Sequence, residues 1–349
     1  LQESTAELAR LRNDIELAEE LYSKLRRDAK RLFGEDSEIY SVALSGLSRT
    51  YLESYQPAKA IEVLQELLDI RTRTDGPDHP GSIIARGNLG IALEDLGEYQ
   101  QSVNLLTENV RIGEQKLGPL HHTVRSSRGA LAISLHSLGK TDEAIQLAER
   151  VIRDEIEVYG PDHTDVATAT SNLVAMLLSE ERYEEALKYT PRALDILSKA
   201  YGPDHLRTIS ALGNYAVNLQ GMKHYDEAGE VLRDLYTRLK RAAGPANTQT
   251  LIWGNNLAMF CHEIGNFSEG TAVLNEILIQ ARSSEECPDV YIAIFERNLG
   301  RCLIGEGDYP GAHEHLTESM RLLEGAPDHM LARTQEFIDE LHTLWTPPG

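Results

Sequence analysis

Residues 159–163 read Tyr159-Gly160-Pro161-Asp162-His163, and this junction decides the fold of the chain. Gly160 can take the left-handed conformation that closes a helix, and Pro161 cannot continue one. Asp162 can then accept the free amides of the next helix as its N-cap. The junction therefore predicts that one helix ends here and that another begins directly afterwards.

The junction recurs along the chain at a fixed interval of 42 residues. Glycine stands at positions 34, 76, 118, 160, 202 and 244, and all but the first are followed by proline. Small residues keep the same interval at positions 102, 144, 186, 228, 270 and 312. A period of this length, with two helical patterns per unit, is typical of a helical solenoid. We therefore expect an all-α fold in which each helix pair packs on its neighbours.

The repeat also predicts the domain boundaries. Residues 1–34 are expected to form an incomplete N-terminal repeat, mainly its second helix, and residues 35–325 to form seven units. Residues 326–345 are expected to form a C-terminal capping helix, because the last unit of a solenoid must cover an apolar face. Residues 346–349 are expected to be a tail. Since the chain begins inside a repeat, we expect it to be a segment of a longer protein.

The charge balance limits the partners. The chain has 34 Lys and Arg against 55 Asp and Glu, a formal net charge of −21. Phosphates of nucleic acids and anionic lipid headgroups repel such a chain, so we expect neither a nucleic acid nor a membrane as its partner. A neutral or basic protein or peptide fits better. The alternative is that the acids only keep the helix faces solvated.

The cysteines indicate the compartment. Cys261, Cys287 and Cys302 form an odd set without metal-type spacing, which favours a reducing environment. The sequence has no apolar run of membrane-spanning length and no signal-peptide pattern. We therefore expect a cytoplasmic location.

Several segments resemble tetratricopeptide repeats in the longer, 42-residue form found in kinesin light chains. They are the Tyr-Gly-Pro-Asp-His junctions at 159–163 and 201–205, Asn-Leu-Gly at 88–90, Asn-Asn-Leu-Ala at 255–258 and Gly-Glu-Tyr at 97–99. The resemblance covers nearly the whole chain and implies a right-handed α-solenoid. It also implies that the first helix of each unit lines a concave groove and that the second helix lies outside.

Helical geometry assigns three columns of first-helix positions to the groove face. The first column holds Gly46, Asn88, Ala130, Asn172, Asn214, Asn256 and Asn298. The second column holds Arg49, Ile91, Ile133, Ala175, Val217, Met259 and Arg301. The third column holds Ser45, Gly87, Gly129, Ser171, Gly213, Asn255 and Arg297.

The asparagine column is the main candidate site. An amide side chain can donate and accept at once, which suits an extended peptide backbone. Ile91, Ile133, Val217 and Met259 could form an apolar floor beside it. Asn255, Arg297 and Arg301 could form a polar, basic end. In repeat proteins that this chain resembles, the matching asparagines contact peptide ligands. The alternative is that the asparagines bond to neighbouring backbone and that the glycines only let helices pack.

No catalytic or metal site is predicted. The histidines at 79, 121, 163 and 205 would lie about 10 Å apart on neighbouring units, too far to share one zinc ion, so local turn contacts explain them better. A carboxylate clamp fits poorly, because no lysine stands in the groove columns. Nucleotide-binding, hydrolase and zinc-protease motifs are absent from the sequence, and we expect no cofactor.

The sequence therefore predicts a non-catalytic protein-interaction scaffold that binds a linear peptide or helix of its partner in the groove. A second interpretation is a regulatory or sensor arm of a larger signalling protein. The resemblance suggests a kinase, a nucleotide-binding switch protein or a caspase-like protease as the remainder of such a protein.

Overall fold

The computed structural model describes residues 2–12, 14–284 and 287–346, and every regular element in these ranges is an α-helix. The chain divides into two compact units, residues 1–176 (unit 1) and 177–349 (unit 2). The helices that begin in unit 1 are α1 (Gln2–Leu11), α2 (Ile15–Phe33), α3 (Glu38–Glu53), α4 (Pro57–Thr74), α5 (Pro80–Asp95), α6 (Tyr99–Lys116), α7 (His122–Ser137), α8 (Thr141–Tyr159) and α9 (Thr164–Ser179). Those of unit 2 are α10 (Tyr183–Ala186), α11 (Thr190–Tyr201), α12 (Leu206–Gly221), α13 (Tyr225–Ala242), α14 (Thr248–Glu263), α15 (Phe267–Ser283), α16 (Asp289–Glu306), α17 (Tyr309–Leu322) and α18 (Asp328–Leu344).

The helix starts follow the predicted period and confirm the all-helical fold. The second helices begin at residues 57, 99, 141, 183, 225, 267 and 309, as the polar turns predicted. Six first helices begin four residues after the junction glycine, at residues 38, 80, 122, 164, 206 and 248. Of the expected tail, Thr346 alone is among the described residues; residue 1 and residues 347–349 lie outside them.

The junctions have the predicted glycine conformation but a different capping residue. Gly160 has a φ of +84° and closes helix α8. The sequence predicted Asp162 as the N-cap of helix α9, and the contact seen there comes from the next residue: His163 Nδ1 accepts the backbone N–H of Asp165 at 3.2 Å. Gly-Pro-Asp forms the turn, so the cap falls one residue later. The same contact occurs at His79, His121 and His205.

The second helix of residues 161–201 is interrupted, although the sequence analysis treats it as one helix. Its two parts are α10 and α11, and Pro191 lies in the first turn of α11. In a continuous helix the ring of Pro191 would clash with the carbonyl of Leu187, four residues earlier. The interruption does not shift the register, because Ala186 and Ala228 are both fully buried at equivalent positions.

Small residues let helices α5 and α6 approach each other closely. In the α5–α6 pair, a Cβ built on Gly90 would lie 2.4 Å from Leu106 Cδ2, so no larger residue fits there without movement. Ser102 Oγ donates to the Gly90 carbonyl oxygen at 2.8 Å in the same contact. The core of this hairpin therefore depends on the small residues at both positions.

The two ends of the described chain differ from the repeats between them. Helix α1 has 10 residues, whereas α3, α5 and α7 have 16 each. Helix α18 contacts α17 and α16, and its Leu341 is fully buried in the core of unit 2. Helix α18 thus packs on the last helix pair, α16 and α17.

Candidate peptide-binding groove

The first helices of unit 1 form a pocket of about 310 Å³. Ile91 of α5, Ile133 of α7 and Asn172 of α9 line it, and Val151 of α8 contributes to its floor. Three residues that the sequence analysis assigned to the groove therefore lie around one cavity. Aliphatic walls with a few polar groups are typical of ligand pockets.

The glycine column that the sequence treats as uniform has two different environments. A Cβ on Gly213 would lie 2.5 Å from Trp253 Cζ2, and one on Gly87 would lie 2.9 Å from Asn109 Nδ2. These two glycines permit internal packing, as the alternative interpretation held. Gly129 differs, because a Cβ there would meet nothing within 4 Å, and Gly129 lines the pocket of unit 1.

Four of the five asparagines in the asparagine column keep their side-chain amides free of hydrogen bonds within the described residues. Asn88 and Asn172 in unit 1 and Asn214 in unit 2 are half-buried, and Asn256 in unit 2 is exposed. Within the described ranges none of these four amides forms a hydrogen bond with another residue. The backbone contacts of the alternative interpretation are therefore not formed at these positions.

Two apolar groove residues of unit 2 are partly accessible. Val217 is 37% exposed, and Met259 is half-buried. The Met259 sulfur accepts a hydrogen bond from Arg301 Nη1 at 3.5 Å. Both residues lie on first helices, α12 and α14.

The residues expected to form a basic groove end are mostly buried or in contact with other residues of unit 2. Asn255 Oδ1 accepts a hydrogen bond at 2.7 Å from Nδ2 of Asn298, the last residue of the asparagine column, which is 4% exposed. Arg297 is 8% exposed, and the Arg301 guanidinium carbon lies 4.6 Å from the ring centroid of Phe337 on α18. Helix α18, whose position the groove columns did not take into account, therefore lies beside this end of the column.

The electrostatics of Arg297 are unfavourable. Burial, followed by the positive charges of Arg333 and Arg301, lowers the pKa of Arg297 to about 10. Its Nε is buried without a hydrogen-bond acceptor in the described part of the chain. Such a group destabilises the fold unless something neutralises it.

An ion pair that the sequence analysis did not identify lies in the floor of the unit 1 pocket. Arg125 Nε donates to Glu155 Oε1 at 2.9 Å. Both residues are buried, with Arg125 3% exposed and Glu155 8% exposed. The corresponding positions in the preceding and following repeats are Ile83 and Ala167 for Arg125, and Gly113 and Leu197 for Glu155. The sequence signal for this ion pair was the presence of two opposite charges at positions where the neighbouring repeats have uncharged residues.

Glu94 is a second acidic residue of the pocket that the sequence analysis missed. It is half-buried, and burial, with a smaller contribution from the Asp95 charge, raises the pKa of its carboxyl to about 7. Its column also contains Leu52, His136, Leu178, Gln220, His262 and Ile304. Glu94 is thus the one acidic residue in that column of the printed sequence.

No group of three or more His, Cys, Asp or Glu side chains positioned to hold a metal ion was found among the described residues. Among the described helices, none combines the length and the apolar character that a membrane-spanning segment requires.

Comparison with known families identifies the repeat. The family profile for the tetratricopeptide repeat matches residues 4–72, 56–108, 88–154, 126–190 and 165–241. Together these matches extend from residue 4 to residue 241, which is well over half of the chain. No curated protein matches the sequence.

Solved structures share the fold at low sequence identity. The apo quorum sensor NprR from B. thuringiensis has a TM-score of 0.69 at 13% identity, covering 92% of this chain and 86% of its own. The apo form of RapI has a TM-score of 0.60 at 14% identity, covering 80% of this chain and 96% of its own. Kinesin light chain TPR-like repeats from Podospora anserina have a TM-score of 0.51 at 22% identity, covering 60% of this chain and 98% of that one.

Proposed function

We propose, from the premise that the chain belongs to the tetratricopeptide repeat family, that it is a non-catalytic scaffold whose groove face binds a linear peptide of a partner protein. The observation that carries the proposal is the pocket of about 310 Å³ in unit 1, where Ile91, Ile133 and Asn172 meet. An extended peptide can place side chains in such a pocket while its backbone bonds to the amides beside it.

The partner is proposed to be neutral or basic. The net charge of −21 disfavours nucleic acids and anionic membranes as ligands. The three thiols Cys261, Cys287 and Cys302 are free, which suits a protein of the cytoplasm. The scaffold needs no cofactor for this function.

Selection of peptides from a random display library with the full chain as bait tests the proposal. Fluorescence anisotropy then measures the affinity of each selected peptide for two double variants. Asn88→Ala with Asn172→Ala probes unit 1, and Asn214→Ala with Asn256→Ala probes unit 2. Since a hydrogen bond contributes about 1 kcal/mol, a double variant in the unit that binds should lose affinity by roughly tenfold or more.

Asn104→Ala is the matched control. Asn104 is exposed on α6, a second helix, and should be neutral for binding. Failure to select any peptide would refute the proposal. Equal affinities for both double variants and the control would show that the asparagine column does not bind the peptide.

A second candidate function is a regulatory or sensor arm of a larger signalling protein. The similarity to NprR, which is named a quorum sensor, and to a Rap protein solved with competence and sporulation factor, favours it. Under this alternative, a selected peptide should change the hydrogen exchange of helices far from the binding unit. Protection confined to the binding helices would favour the plain scaffold.

A further inference from the structure

The unit 1 pocket contains carboxylate oxygens that lack a donor. Glu94 lines the pocket, and it has neither a hydrogen bond nor an ion pair with any other described residue. Its raised carboxyl pKa, about 7, has the same physical cause, because burial disfavours the charge and no cation compensates for it.

Glu155 provides an independent observation of the same kind. It also lines the pocket, it is 8% exposed, and its Oε2 is buried without a hydrogen-bond partner. Its other oxygen, Oε1, accepts from Arg125 Nε at 2.9 Å. Arg125 also donates to the Leu120 carbonyl, so the one guanidinium of the pocket is already occupied.

The remaining charges leave the pocket acidic. Asp165 adds a third carboxylate to the lining, against the single guanidinium of Arg125 and the imidazole of His122. Ile91 and Ile133 add aliphatic surface to the lining of the same pocket. Such a surface complements a side chain with a long methylene stem and a cationic head.

We propose that this pocket receives a lysine or arginine side chain of the bound peptide, with its stem between Ile91 and Ile133 and its cationic group at Glu94 and Glu155. The inference rests on the proposed function, since the basic side chain belongs to the peptide in the groove. The open space at Gly129 gives the side chain room, because nothing lies within 4 Å of a Cβ built there.

Methyl NMR of the full chain, with ¹³C-labelled isoleucine δ1 methyls, tests the proposal directly. The reporters are Ile91 and Ile133, and Ile279, which is 67% exposed on α15, is the remote reference. The basic probes are N-acetyl-lysine methylamide and N-acetyl-arginine methylamide. N-acetyl-norleucine methylamide is the neutral probe, and alanine methylamide with a free amino group tests an α-ammonium.

The basic probes should shift Ile91 and Ile133 saturably and leave Ile279 unchanged, while the neutral probe produces no comparable shift. Glu94→Gln should weaken the basic probes about tenfold, because an ionic hydrogen bond is lost. Glu108→Gln is the matched control, since Glu108 is exposed on α6 and the net charge changes equally. Gly129→Leu should block the shifts without unfolding the chain.

Equal shifts with the norleucine probe, equal effects of Glu94→Gln and Glu108→Gln, or shifts with the free α-ammonium probe alone would each overturn the proposal. Its failure is separable from failure of the proposed function. Display-selected peptides that bind without Lys or Arg, and that Glu94→Gln does not weaken, would refute this inference and leave the scaffold function standing. Basic probes that shift Ile91 when no peptide is selected would support the pocket and refute peptide binding.

Discussion

Gly129 and Gly213 provide a sharp test of the groove geometry, because they occupy equivalent repeat positions but have different surroundings. We compare Gly129→Ala in unit 1 with Gly213→Ala in unit 2. Alanine is about 1 kcal/mol more favourable than glycine inside a helix. At Gly129 a new Cβ meets nothing within 4 Å, so the whole of this gain should be realised.

At Gly213 the same methyl group would overlap an aromatic ring. The Cβ would lie 2.5 Å from Trp253 Cζ2 and 2.9 Å from Cη2. Overpacking of this kind typically costs 1–3 kcal/mol, which offsets the propensity gain or exceeds it by up to about 2 kcal/mol. Gly87→Ala is an intermediate case, because the displaced Asn109 amide donates to Ser127 Oγ at 3.0 Å inside unit 1.

Thermal unfolding measures the difference. For a unit of this size, 1 kcal/mol corresponds to about 2–4 °C in Tm. Gly129→Ala should therefore raise the Tm of unit 1 by a few degrees, and Gly213→Ala should leave the Tm of unit 2 unchanged or lower. Because solenoids can unfold in steps, hydrogen exchange of α7 and α12 should accompany the melting curves.

The reasoning is refuted if the two variants shift stability in the same direction, or if Gly129→Ala is the more damaging change. A functional readout accompanies the test. Since the added methyl group enters the pocket, Gly129→Ala should reduce affinity for the basic probes while it stabilises the fold. A variant that became more stable and also bound more tightly would contradict the pocket geometry.

Three further predictions concern single positions. The pKa of Glu94, raised by burial from 4.5 to about 7, means that the folded chain holds this proton more tightly than the unfolded chain, so stability falls as pH rises from 4.5 to 7. Because solvent screens part of this effect at a half-buried carboxyl, Glu94→Gln should be about 1 kcal/mol more stable than the parent at pH 8 in urea unfolding and equally stable at pH 4. An equal gain at both pH values would contradict this. Glu181 has a φ of +56°, so Glu181→Gly should raise stability by about 1 kcal/mol in thermal melts, and the reverse change at the equivalent Gly139, Gly139→Ala, should lower it. Arg297→Met removes a buried side chain whose Nε has no acceptor among the described residues, and it should stabilise unit 2 by about 1 kcal/mol in urea unfolding, which a loss of stability would disprove.

The fold was predictable because the period fixes where helices start. Second helices begin at Tyr99, Tyr183 and Tyr225, as the polar turns indicated. Pro191 could have indicated the interruption of the second helix. The break was not predicted because Ala186 keeps its place in the small-residue column. The repeat also imposes a backbone conformation that some residues disfavour. Positive φ recurs at residues 55, 97, 139, 181, 223, 265 and 307, although three of these residues are not glycine.

The site was less predictable, because a groove position is defined by its neighbour in the next repeat. The residue 40 positions after Gly213 is Trp253, which fills the space beside it. The residue 40 positions after Gly129 is Ala169, a lining residue of the open pocket. Reading the column together with the position 40 residues later would have separated the packing glycine from the pocket glycine.

A buried charged residue needs a partner of opposite charge. A partner within the protein indicates a structural role, and the lack of one indicates a role in binding. Arg125 and Glu155 occupy apolar columns and pair through Glu155 Oε1 alone, so each offsets part of the cost of burying the other. Glu94 has no such partner in the described chain, and its burial therefore costs free energy in the unbound protein. A cationic ligand group would restore the ordinary ionisation of Glu94 and recover that free energy on binding. The recovered energy is absent for a neutral ligand of the same shape, so the unpaired carboxylate gives the pocket its preference for a basic side chain.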